Sequence, residues 1–100
     1  MSEETEALLA KAIQHYGADG QITVAIEEMA ELTKELCKTK RGEMDLDHIA
    51  EEISDVGIMI EQLKIIFACP DKIARCRRYK LRRLAQRIYE DEQNGRKEGG

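Results

Sequence analysis

Apolar residues recur at three- and four-residue intervals along most of this 100-residue chain, with polar positions between them. That period belongs to amphipathic α-helices, and no long run alternates residue by residue as a half-buried strand would. Sparse punctuation predicts four helices. Ser2 followed by Glu3, Glu4 and Glu6 reads as the capped, acid-rich first turn of a helix that runs to about Tyr16 and ends at the turn Gly17-Ala18-Asp19-Gly20. A second helix is predicted from about Gln21 to Lys40, stopping at Gly42, with Lys38, Lys40 and Arg41 suited to a helix C-terminus. Asp45 and Asp47 can cap a third helix reaching about Ala68, and beyond Pro70 a fourth covers about Asp71 to Glu92.

At about 100° per residue, the second helix gathers Ile22, Ala25, Ile26, Met29, Thr33 and Leu36 into one stripe. The third gathers Ile49, Ile53, Val56, Ile60, Leu63 and Phe67. These stripes are the expected core seams, and the short link around residues 42–47 makes the two helices an antiparallel hairpin. The expected architecture is all-α: a four-helix bundle-like domain over residues 1–93, followed by a flexible tail at 94–100 that lacks apolar side chains. A chain of this size buries only about 60 to 65% of its unfolded surface, so completion of the core by homo-oligomerisation is expected as well.

Composition narrows the class further. Four aromatics, one proline and no tryptophan argue against an all-β sandwich or barrel, and no apolar stretch approaches the roughly 18 residues of a membrane span. Nothing reads as a signal peptide, so a cytoplasmic location is expected. Cys37, Cys69 and Cys76 form no C-x-x-C pair, which argues against a disulfide framework or a thiolate zinc site and leaves them as small reduced apolar residues. The net charge of -4 conceals a division: residues 1–71 carry 6 basic and 16 acidic side chains, residues 72–100 carry 10 basic and 4 acidic. Such a split implies internal neutralisation, an anionic ligand held between the regions, or a nucleic-acid arm.

The acids of the two middle helices do not fit an ordinary solvated face. Glu28 and Glu31 stand three apart on one helix, Glu52 and Asp55 three apart on the next, so each pair shares a helix face. Like charges at this spacing repel by about 1 kcal/mol in water and about 4 at an effective dielectric of 20. The position four after Glu31, where a lysine would relieve it, is filled by Glu35. Glu52 falls between Met59 and Leu63 on the helical wheel, inside the apolar flank, where an unpaired carboxylate is costly. Either pair alone is common surface decoration. Two pairs on adjacent helices, one acid set among apolar residues, point instead to a divalent cation held by hard oxygens, Mg²⁺ or Mn²⁺, which in turn predicts a phosphorylated substrate. Neither His15 nor His48 lies three residues after a glutamate, against a di-iron carboxylate bundle.

The run Glu27-Glu28-x-x-Glu31, a gap of twenty residues, then Glu52-x-x-Asp55 resembles the EExxE…ExxD pattern of the all-α nucleoside triphosphate pyrophosphohydrolases, the MazG-like superfamily that includes dimeric dUTPases and dCTP pyrophosphatases. The likeness covers about residues 20–68, and Lys80-Leu-Arg-Arg-Leu84 is similar to a segment of short phage or prophage MazG-like chains. The resemblance implies hydrolysis of a (deoxy)nucleoside triphosphate between the α and β phosphates, for nucleotide-pool house-cleaning by a homodimer or tetramer. It further implies that Glu28, Glu31, Glu52 and Asp55 hold Mg²⁺ and that Glu27 activates the attacking water, although the wheel sets Glu27 about 100° from Glu28.

The fourth helix carries eight cations from Lys72 to Arg87 with no acid between Asp71 and Glu90. Its apolar stripe is Ile73, Leu81, Leu84 and Ile88; Arg77 and Lys80 border that stripe, where they can grip phosphate or neutralise the acids of the middle helices. No stacking aromatics interleave with these cations, which disfavours nucleic acid. Two other functions stay open: a non-catalytic helical interaction module, and a nucleic-acid-binding accessory protein using this helix.

Overall fold

A computed structural model describes residues 2–99 of the chain, with side chains for residues 2–95. It is all-helical among the described residues: α1 Glu3–Tyr16, α2 Ala18–Lys40, α3 Leu46–Phe67 and α4 Pro70–Gly99. Ser2 caps α1, its hydroxyl accepting the Thr5 N–H at 3.1 Å. Asp45 caps α3 in the same way, accepting from the His48 N–H at 3.2 Å. Both ends are where small oxygen-bearing side chains satisfy otherwise orphaned amides.

The break between α1 and α2 is tighter than the expected four-residue turn. Gly17 alone makes it, at φ 88°, a left-handed conformation open to glycine. Ala18, Asp19 and Gly20 already belong to the first turn of α2, where Asp19 favours the helix N-terminus. Gly42, at φ 82°, ends the other side of α2. The third break falls on Ala68, at φ 46°, before Pro70 opens α4 as its first residue.

Residues Met1–Ala68 form one compact unit and Cys69–Gly100 a second. In the first, α2 and α3 pack along each other and α1 rests on both through Leu9, Ala12 and Ile13. The second is α4, which stays helical through residues 94–99, where the sequence suggests a flexible tail; Gly100 lies outside the described residues. Nothing in that stretch forbids a helix; Gly95 weakens one without breaking it.

The seam of the hairpin is where expectation and structure part. On α2 the inward residues are Gln21, Ala25, Glu28, Leu32 and Glu35, one position out of phase with the predicted stripe. Of that stripe only Ala25 is buried; Ile26 is 63% exposed and Leu36 48%. On α3, Ile49, Val56 and Leu63 do turn inward, joined by Glu52, Met59, Gln62 and Ile66, whereas Ile53, Ile60 and Phe67 are exposed. A search for the most apolar face selects the wrong side because the seam itself carries polar residues.

Candidate metal centre

Glu28 sits midway along α2 and projects toward α3, which returns antiparallel and presents Glu52 and Asp55 one turn apart. Each residue of this trio offers a carboxylate oxygen, and the three oxygens lie within 4.8 Å of one another. Glu28 and Glu52 are half-buried and Asp55 is exposed, so one side of the group is open to solvent. Asp55 also borders a cleft of about 400 Å³ with Ala50, Glu51 and Ser54, which Glu28 and Glu52 do not line. Glu28 and Asp55 share a smaller, open hollow of about 90 Å³ with Val24, Ile58 and Met59.

The electrostatics are those of an unrelieved cluster. Glu28 is held above the usual carboxylate range, first by its partial withdrawal from water, then by the negative charges of Asp55 and Glu52 and by the side-chain hydrogen bonds that a protonated Glu28 makes to them. No lysine or arginine pairs with any of the three among the described residues. Moreover, Oε2 of Glu52 is buried and has no hydrogen-bond partner. Leaving a buried acceptor unmatched costs about 1–3 kcal/mol, more when it is charged. The donor set is all hard oxygen, and the one thing it lacks is positive charge. It fits Mg²⁺ or Mn²⁺, which take carboxylates together with water and substrate oxygens.

Glu31 is exposed on α2 and stays outside the trio, so three of the four expected ligands are brought together. Glu27 is exposed, on the face next to that of Glu28. Arg77 and Lys80 are exposed on α4, in the second unit. His48 pairs with Asp45 at 3.4 Å, a capping role and not a ligand geometry.

Sequence reasoning missed two polar features of the same seam. Gln21 and Gln62, 7% and 4% exposed, face each other, Nε2 of Gln21 donating to Oε1 of Gln62 at 2.7 Å. Glu35 is 6% exposed; its Oε1 takes an ion pair from Lys38 at 3.4 Å while Oε2 is buried and unpartnered. The signal that finds them is the seven-residue spacing of Gln21, Glu28 and Glu35 on α2, matched by Gln62, Asp55 and His48 on α3.

Comparisons with protein families, curated proteins and solved structures found no match to the chain.

Proposed function

We propose that this protein is a Mg²⁺-dependent nucleoside triphosphate pyrophosphohydrolase of the MazG-like kind, cleaving a (deoxy)nucleoside triphosphate to the monophosphate and pyrophosphate. The observation that carries the reading is the convergence of Glu28, Glu52 and Asp55 from two helices, with a buried Glu52 oxygen left unmatched. Three carboxylates at this separation repel one another, and a bound cation would relieve that repulsion.

Glu28, Glu52 and Asp55 would hold the cation, and Glu31, on the same helix edge, would reach it through water. Bound there, Mg²⁺ supplies neutralisation of the triphosphate and polarisation of the phosphorus under attack. The chain's own residues do the rest. The exposed side of the trio, at Asp55, would receive the phosphates, and the solvent-facing oxygens of Asp55 would orient water beside them. Glu27 is the candidate to take the proton from that water.

Self-association into a homodimer or tetramer belongs to the same proposal. Two helices leave a nucleobase without enclosure, and Ile26, Leu36, Ile53, Ile60 and Phe67 offer apolar surface for a second copy. Sedimentation velocity checks it, with a species of at least twice 11.4 kDa expected.

The test is release of pyrophosphate from each common NTP and dNTP, repeated with Glu28→Gln and Asp55→Asn. Activity is expected to fall by about a thousandfold in either variant, on the scale of losing one preorganised group that stabilises transition-state charge. Full activity in both would overturn the assignment, and orthophosphate without pyrophosphate would point to stepwise phosphate loss.

A second reading rests on α4, where Tyr79, Leu81, Leu84 and Ile88 are exposed beside an unbroken set of cations. In that reading the helix docks on an acidic partner or on nucleic acid and the carboxylates are incidental. A salt-dependent mobility shift with DNA or RNA is expected only for the nucleic-acid form.

A further inference from the structure

The hydrogen bond between Gln21 and Gln62 stands one heptad from the carboxylate trio on both helices at once: Gln21 precedes Glu28 by seven residues and Gln62 follows Asp55 by seven. Two turns of helix therefore separate the amide pair from the acid pair along each partner, on the same seam. We infer that the Gln21–Gln62 bond sets the register of the α2–α3 hairpin and thereby positions Glu28 against Asp55 and Glu52. The register role stands on the hairpin alone; its consequence for the site rests on the metal-binding reading above.

The rest of the seam is ill-suited to that task. Ala25, Leu32, Val56 and Met59 make contacts that are not directional, and a small residue facing an unbranched methionine tolerates sliding. The connection from Arg41 to Asp45 is exposed and contains Gly42 in a left-handed conformation, so it can absorb a displacement. The trio itself opposes its own alignment, since without a cation its charges repel. Sliding by one residue moves a helix about 1.5 Å and by one turn about 5.4 Å, enough to take apart oxygens that lie within 4.8 Å. The amide pair resists such a slide because displacement breaks its 2.7 Å bond, and both amides are more than nine-tenths buried. A single buried polar pair fixing helix register at some expense of stability is a known use of such residues.

Spin labels read the register directly. In the full chain, with Cys37, Cys69 and Cys76 changed to serine, labels are attached at Thr23→Cys on α2 and Lys64→Cys on α3, both exposed positions. One narrow inter-label distance is expected. With Gln21→Leu and Gln62→Leu together, which leaves no stranded amide and preserves the helices, the distribution is expected to shift or broaden by about 1.5 Å or more, the rise of one residue. Mn²⁺ titration of the same unlabelled double variant is expected to show a Kd raised about tenfold. A folded double variant with an unchanged distance distribution overturns the register role. A changed distribution in a protein whose parent binds no Mn²⁺ supports the register role and removes only the metal site. A purely structural pair would lower Tm and leave both the distance and the Mn²⁺ affinity where they were.

Discussion

Two polar rungs cross the same helical seam one heptad apart, and they behave oppositely. At Gln21 and Gln62 a donor meets an acceptor and the pair is neutral and closed to solvent. At Glu28, Glu52 and Asp55 only acceptors meet, one oxygen is orphaned, and one side is open. Burial alone therefore does not separate the two rungs. What distinguishes them is whether the chain completes the hydrogen bonds it buries. A third rung lies between these extremes: Glu35, at the next heptad position, pairs one oxygen with Lys38 and leaves the other buried and unpartnered.

The contrast predicts opposite responses to substitution. Gln62→Leu strands the Gln21 amide, and we expect it to destabilise the protein by about 2 kcal/mol, with Gln21→Leu/Gln62→Leu recovering most of the loss. Urea unfolding of the two singles and the double closes that cycle; additive losses would mean the amides do not act as a pair. At the acid rung the sign reverses when metal is absent. Glu52→Gln removes a negative charge and gives its neighbours a donor, so metal-free protein is expected to gain up to about 1 kcal/mol. A clear loss in that variant would mean the repulsion is already relieved by solvent.

Mg²⁺ should divide the rungs again. If the site binds with a Kd near 1 mM, 10 mM Mg²⁺ stabilises the native protein by about 1.4 kcal/mol through mass action. The gain is expected in the parent and in the glutamine double variant at higher Mg²⁺, and absent from a Glu28→Gln/Asp55→Asn protein. Proton concentration supplies a gentler probe. Because Glu28 is held above the ordinary carboxylate range when folded, the native state binds more protons than the unfolded state between the ordinary and the raised value. Metal-free stability contributed by this group should therefore rise as pH falls through that window and decline as pH rises through it. Thermal melts of Glu28→Gln should lack this component. The smallest effect lies outside both rungs: Ala68→Gly relieves a left-handed alanine at the end of α3 and is expected to add about 0.5–1 kcal/mol.

Much of the fold was legible in the chain. Gly17, Gly42 and Pro70 mark breaks that the structure keeps, and Ser2 and Asp45 cap the helices they precede. The start of α2 was misplaced because Gly20 looks like a breaker, although a single glycine in a first turn is tolerated there. The seam was less legible for a physical reason. Hydrophobic periodicity assumes that the inward face is the apolar one, and here Gln21, Glu28 and Glu35 occupy it while Ile26 and Leu36 look outward. The trio was approached by a different route, the unfavourable spacing of like charges, which put Glu28, Glu52 and Asp55 among four acids expected to converge. That route is blind to Glu31, whose spacing fits but whose side chain stays exposed, and to the neutral glutamines, which repel nothing.

On the proposed function, three carboxylates from two helices hold a divalent cation beside a phosphorylated ligand. Mn²⁺ titration followed by electron paramagnetic resonance, with and without a nonhydrolysable nucleoside triphosphate, tests it most directly. Saturable binding that tightens with the triphosphate and disappears in Glu28→Gln/Asp55→Asn is the predicted result; Mn²⁺ binding that is absent from the parent, or unchanged by that double substitution, would contradict it.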